Sequence, residues 1–318
     1  MREDYLWDRS GPPDPEVAHL EKLLAPLAHR EAAAAPTGRP WRAMAAAAAV
    51  VLAAASLWRF EAPPGAETGW QVERLEGSAQ VGARNAEVSM GLRAGQVLRT
   101  AKDSTLMLQD DALGRVDLGP ESQLRATSKR QLQLDRGKLH AFIWAPARQF
   151  VVDTPSSRAV DLGCEYTLDV DSTGDGLLKV ALGWVAFQFH GQESFIPAGA
   201  QCVTRKRGGP GIPYYEDAPA ALAESVSRFE RGDAAALQGI LAAARPQDGL
   251  TLWHLLTRVA AQDRGAVFDR FAQLVAFPPE VSRERVLRKD PEMIDLCWNA
   301  LELQNTGWWR GWERNWTR

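Results

Sequence analysis

The sequence predicts a multi-domain chain: a short N-terminal helix, a single transmembrane helix, an all-β sandwich or jelly roll, and an all-α C-terminal domain. Three observations carry that prediction. Residues 43–58 read AMAAAAAVVLAAASLW, without a charge between Arg42 and Arg59. From Trp70 to Thr204, short segments alternate apolar with polar residues, which is the period of a half-buried strand. From Ala218 onward, apolar residues recur at three-and-four spacing, the period of an amphipathic helix. The resulting boundaries are a tail over 1–42, a span over 43–58, a β domain over 69–215 and a helical domain over 218–318.

In the tail, Pro12, Pro13 and Pro15 open a helix, with Asp14 as N-cap before Glu16 to Leu27. Val17, Leu20, Leu23, Leu24 and Leu27 then fall on one apolar face. A helix this short is marginal alone, so the face needs a partner, either another part of the tail or another protein. Residues 32–40 form a small-residue, Pro-containing linker. The uncharged segment is slightly shorter than the ~20 residues a spanning helix usually needs. Arg42 and Arg59 can snorkel outward to lengthen it, and Trp41 and Trp58 stand where aromatic belts lie.

Two other readings compete for that segment. An Ala-rich helix buried in a globular core would carry a polar stripe, and none interrupts the run. A signal peptide cleaved after Ala53-Ala54-Ala55 would have a long n-region holding Asp4, Asp8, Asp14, Glu16 and Glu21, unlike the short basic start of secretory signals. An uncleaved anchor fits better. Arg30, Arg39 and Arg42 precede it, against Arg59 and the more distant Arg74 after it, which places the tail inside and the bulk outside. The expectation is a single-pass protein of the bacterial inner membrane, N-terminus cytoplasmic and bulk periplasmic.

Beyond a second linker at 62–68, strand signals recur at Trp70–Gly77, Gln96–Thr100, Thr105–Gln109, Arg115–Leu118, Leu132–Leu134, Phe150–Asp153, Tyr166–Val170, Leu178–Ala181, Val185–Phe189 and Cys202–Thr204. Short strands without intervening helices argue for an antiparallel architecture. Helices follow over Ala234–Ala244 behind Asp233, Leu250–Val259, Ala266–Val275, Ser282–Arg288 and Glu292–Leu303. At the C-terminus, Trp308, Trp312 and Trp316 are spaced four apart and alternate with Arg310, Arg314 and Arg318, a face suited to docking on the protein's own core or to headgroups or glycan.

Net charge −3, with 24% charged and 45% hydrophobic residues, suits ordinary globular material and calls for no nucleic acid. The compact basic run Arg205-Lys206-Arg207 precedes Gly208-Gly209-Pro210 and reads as a solvated loop. Cys164, Cys202 and Cys297 are too few and too scattered for a metal cage or disulfide scaffold. Facing an oxidising periplasm, Cys164 and Cys202 are a candidate disulfide; buried free thiols are the other reading. His19, His29, His140, His190 and His254 sit in no nucleophile or metal motif. Asp169 to Gly176 opens like a calcium loop, but Val180 occupies the twelfth position, where a bidentate Glu belongs. No catalytic, cofactor-binding or metal-binding residue is expected, and the chain is not read as an enzyme.

Leu92-Arg-Ala-Gly-Gln-Val-Leu-Arg-Thr100, Ser104-Thr-Leu-Met-Leu-Gln-Asp-Asp111, Val116-Asp-Leu-Gly-Pro-Glu-Ser122 and, most specifically, Val152-Asp-Thr-Pro-Ser-Ser-Arg-Ala-Val-Asp-Leu-Gly-Cys-Glu-Tyr-Thr-Leu168 resemble the FecR domain family. Cys164 stands where that family usually has Thr, and Tyr166 where it has Phe. Gly183-Trp-Val and Pro197-Ala-Gly199 are similar to its closing turns, and Gly95, Gly163, Gly183 and Gly199 also read as turn glycines in their own right. The resemblance covers roughly Trp70 to Thr204. It implies a scaffold without a catalytic centre, in a transmembrane signalling regulator that acts as an anti-sigma factor. The implied partners are an extracytoplasmic-function sigma factor on the cytoplasmic side, held by Val17, Leu20, Leu23, Leu24 and Leu27, and an unknown envelope protein or ligand outside. In zinc-binding anti-sigma domains a H-x-x-x-C-x-x-C run holds the metal; here His19 is followed by Leu23 and Pro26, so zinc is not expected. The alternative is an anchored envelope protein, structural or binding peptidoglycan, carbohydrate or a protein partner.

Overall fold

The computed structural model describes residues 65–303. The expected tail helix with Val17, Leu20, Leu23, Leu24 and Leu27, the expected span at 43–58 and the Trp-rich terminus all lie outside the described residues. No described helix is long and apolar enough to cross a membrane.

Eighteen described strands come first: β1 (Glu67–Glu76), β2 (Ala79–Val81), β3 (Arg84–Asn85), β4 (Gly91–Arg93), β5 (Val97–Thr100), β6 (Thr105–Asp110), β7 (Gly114–Leu118), β8 (Gln123–Ser128), β9 (Gln131–Ile143), β10 (Val151–Asp153), β11 (Arg158–Asp161), β12 (Glu165–Val170), β13 (Gly176–Leu182), β14 (Trp184–Phe189), β15 (Gln192–Pro197), β16 (Ala200–Arg205), β17 (Gly209–Pro210) and β18 (Tyr214–Tyr215). They form two sheets joined by β9. One runs β4-β1-β6-β7-β9-β12-β13-β16, with β17 and β18 on its β16 edge. The other runs β3-β2-β5-β8-β9-β10-β11-β14-β15. Every pairing is antiparallel except β9 with β10.

The long strand β9 can serve both sheets because it changes partners at Gly137. Its first half pairs with β8 and β10, and its second with β7 and β12. Gly137 has φ 95°, and a Cβ there would lie 2.4 Å from Ser122 Cα, so no side chain fits at the crossing. Alternating strands then aim their apolar residues at a shared core, as in β6, where Leu106 and Leu108 are buried between less buried neighbours. Trp70 of β1 meets Phe150 at 5.5 Å between ring centroids, joining the inner faces of the two sheets, while its indole N–H donates to Lys129 O at 3.0 Å. Gly95, Gly163, Gly183 and Gly199 all have positive φ.

Helices α1 (Ala220–Glu230), α2 (Ala236–Ala243), α3 (Gly249–Arg258), α4 (Arg264–Leu274), α5 (Arg283–Leu287) and α6 (Pro291–Asn299) follow. Asp290 caps α6 by accepting from the N–H groups of Glu292 and Met293, and Ser282 caps α5. These helices are not a separate body: the described strands and helices belong to one compact unit with one apolar core. The reason is visible in β14 and β15. Trp184–Phe187 and Ser194–Pro197 are buried in unbroken runs, not in alternation, because the sheet core covers one face of the hairpin and helices cover the other. Trp184 meets Trp298 of α6 at 5.8 Å, and Phe195 meets Trp298 at 5.9 Å. His254 of α3 pins the same strand: its Nε2 accepts from the Phe195 N–H at 3.1 Å, and its Nδ1 lies 2.8 Å from Leu250 O, the arrangement of a neutral ring protonated on Nδ1. Burial and, next, the nearby Arg258 charge lower the His254 pKa to about 3.

Candidate ligand cleft at the strand–helix junction

Where the β14–β15 hairpin and the loop after β16 meet α1 and α3, the fold leaves a cleft of about 540 Å³. Its size falls in the range of small-molecule sites, ~300–1,000 Å³. The loop Gly208-Gly209-Pro210-Gly211 supplies one wall almost without side chains. At Gly211, a Cβ would sit 2.2 Å from Glu230 Oε1, so glycine is what lets the carboxylate approach this backbone.

Five charged side chains line the cleft; Arg205 pairs with Asp175 at 3.0 Å and Glu193 accepts from Gln188 at 2.8 Å, and the other three are Glu230, Arg258 and Lys289. Glu230, the last residue of α1, accepts from the Ile212 N–H through Oε1 and forms no ion pair with a described residue; its second oxygen has no hydrogen-bond partner among them. Burial raises the Glu230 pKa, opposed by that N–H and by the field of Arg258, Arg205 and Arg231. Arg258, the last residue of α3, donates from Nη1 to Pro210 O at 2.9 Å and from Nη2 to Glu193 O at 2.8 Å and Ser194 Oγ at 2.5 Å. The guanidinium is thus held against the hairpin and cannot turn to Glu230, and burial lowers its pKa. Lys289, just past α5 and at φ 58°, also lines the cleft; its ammonium makes no hydrogen bond or ion pair with a described residue.

The candidate disulfide does not form; the cysteines follow the other reading, with Cys164, Cys202 and Cys297 free and buried. Register explains why. Leu168 pairs with Leu178, and Leu178 pairs with Cys202, so Cys202 stands two strands from Leu168 while Cys164 lies four residues along from it. Two strand steps alone are about 9–10 Å, beyond the ~7 Å Cα separation a disulfide can bridge. Instead the Cys164 thiol donates to Asp161, a fully buried carboxyl that also accepts from the Gly163 N–H at 2.8 Å. Burial pushes the Asp161 pKa up to about 7, against the hydrogen bonds from Cys164 and Gly163. Beside them the Tyr166 hydroxyl is buried with no hydrogen-bond partner among the described residues.

The calcium-like segment is a polar hairpin turn: Asp171 Oδ1 accepts from the N–H groups of Thr173, Gly174 and Asp175 at 2.8, 3.0 and 3.1 Å. No group of three or more His, Cys, Asp or Glu suited to a metal ion occurs among the described residues. On the open face of the first sheet, His140 bridges Asp117 at 3.4 Å and Glu165 at 3.0 Å, next to the exposed side chains of Phe142, Trp144 and Leu182.

Glu230, Arg258 and Lys289 were not singled out by sequence. Arg258 ends an otherwise apolar helix and Lys289 sits in a short connection, so neither carries a motif. The glycine run at 208–211 was the one legible sign that backbone, and not side chains, lines part of a surface here.

Residues 96–186 match the family model described as FecR protein. The match runs from the start of β5 into β14 and stops before β15, so the residues lining the cleft all lie beyond it. Among solved structures, two crystal structures of a candidate anti-sigma factor from Parabacteroides distasonis ATCC 8503 are similar. One is 14% identical with TM-score 0.34, covering 43% of this chain and 65% of that one; the other is 15% identical with TM-score 0.33, covering 42% and 64%. The chain thus spans just under two thirds of those relatives' length, and scores of this size do not define a shared fold. No curated protein sequence matches the chain.

Proposed function

We propose that this protein is a non-enzymatic, single-pass transmembrane regulator that restrains a sigma factor of the extracytoplasmic-function class. In this reading the tail masks the sigma factor with the apolar face of Val17, Leu20, Leu23, Leu24 and Leu27, the segment 43–58 crosses the inner membrane, and the described unit receives an envelope signal in the periplasm. The observation that carries the reading is the FecR match over 96–186. The uncharged run between Arg42 and Arg59 supports the topology. Fully burying five such side chains supplies several kcal/mol, at ~1.5–3 each before ordering costs, enough for a regulated complex.

The test is co-purification of the full-length chain with a candidate sigma factor, alongside Leu20→Asp and Leu23→Asp variants. Retention by the unmodified chain and loss in both variants is the expected result; no retention by the unmodified chain refutes the masking. One observation favours a second reading, an anchored envelope protein that binds a ligand: the cleft lies outside the FecR match, and two of its lining charges, Glu230 and Lys289, form no ion pair with a described residue.

A further inference from the structure

We propose that the cleft binds a small zwitterion of amino-acid or dipeptide size, with its ammonium on Glu230 and its carboxylate on Lys289 and Arg258. This inference does not rest on sigma-factor binding and holds for either reading above.

The argument begins with a pair of opposite charges that the fold keeps apart. A buried carboxylate near a guanidinium gains most by closing on it, because an uncompensated charge in a poorly solvated site is costly. Glu230 does not close on Arg258: the Arg258 fork is tied to Pro210 O, Glu193 O and Ser194 Oγ, and Glu230 is held at the Ile212 N–H. Both side chains line the cleft. On the acidic side, one Glu230 oxygen has no partner among the described residues; on the basic side, the Arg258 Nε–H and the Lys289 ammonium have none.

The chemistry of a ligand follows from both sides together. An anion such as phosphate would satisfy Lys289 and Arg258 but would face the unpaired Glu230 oxygen. A simple amine would satisfy Glu230 but would meet two cations. Only a ligand carrying both an ammonium and a carboxylate leaves no charge unmatched. The volume of about 540 Å³ admits an amino acid or a short peptide, and the glycine wall offers it backbone, not bulk. Burial raises the Glu230 pKa, and an ammonium beside it would favour the charged form.

The experiment is calorimetric titration of the full-length chain in mild detergent with the common amino acids and glycyl dipeptides. Each binder is repeated as its N-acetyl and its amidated form, with inorganic phosphate as the anion control. The expected result is saturable binding of at least one zwitterion, lost on blocking either end and weakened about tenfold or more by Glu230→Gln and by Lys289→Ala. Glu230→Gln keeps the acceptor for Ile212 and Lys289 has no partner among the described residues, so both variants are expected to retain the unmodified tryptophan emission. No saturable heat up to about 10 mM of any probe overturns the proposal, as does equal binding of blocked ligands or of phosphate alone. Either failure would leave the sigma-factor co-purification unaffected, and the reverse also holds.

Discussion

Replacing Asp161 by Asn and, separately, His254 by Gln should tilt the pH dependence of stability in opposite directions. His254 is fully enclosed and neutral in the fold, with its pKa lowered to about 3, whereas in the unfolded chain it titrates near the ordinary value of 6.5. Its stabilisation is therefore complete above ~6.5 and is lost as pH falls, by about 2 kcal/mol between about pH 7 and pH 5. Asp161 behaves oppositely. Its pKa is raised from 3.8 to about 7, so the fold favours the protonated acid, and its stabilisation is complete at low pH and lost as pH rises toward 7. Acidifying over the same interval recovers about 2 kcal/mol. In the unmodified chain the two effects nearly cancel. Urea unfolding of the full-length chain, followed by the emission of the buried Trp70, Trp184, Trp253 and Trp298 at both pH values, separates them. Relative to the unmodified chain, Asp161→Asn should lose about 2 kcal/mol more on acidification and His254→Gln about 2 kcal/mol less. Glu230 and other carboxyls contribute equally to all three proteins and drop out of the comparison. Slopes that do not change, or that change in the same direction, would refute the reasoning.

Tyr166→Phe removes a buried hydroxyl without a partner and should raise the urea midpoint by an amount worth about 1 kcal/mol; a loss would mean that the hydroxyl is in fact bonded. Cys164→Thr places a stronger O–H donor beside Asp161 and should match or exceed the unmodified stability in thermal unfolding, whereas a drop of more than about 2 kcal/mol would contradict the assigned contact. A thiol reagent should find three free thiols in the chain denatured without reductant and essentially none in the native state, since all three cysteines are buried and unpaired; fewer than three after denaturation would restore the disulfide reading.

Much of the β architecture was legible because alternation is local. Thr105–Gln109 and Arg115–Leu118 show a two-residue period in the sequence, and they form β6 and β7 with the expected faces buried. The caps of α5 and α6 are local contacts as well, since Ser282 and Asp290 act on N–H groups two or three residues away, although neither was singled out as a cap in the sequence. Short edge strands such as β2–β4 and β17–β18 escaped because two or three residues carry no period, and their pairing is set by distant partners.

The cysteines and the cleft show where local reading ends. Cys164 and Cys202 belong to one predicted domain, yet the strand order inserts β13 between them, and no spacing in the chain encodes that order. Glu230 and Arg258 end separate helices and Lys289 sits in the connection after α5, and the three line one cleft only because segments distant in sequence pack together. By itself, the sequence determined the strand and helix periods, the turn glycines and the FecR segment, all consequences of contacts between near neighbours. Only the tertiary structure decided that the helices share the strands' core and leave unpaired charges around a cleft, because that depends on which distant surfaces are buried against each other.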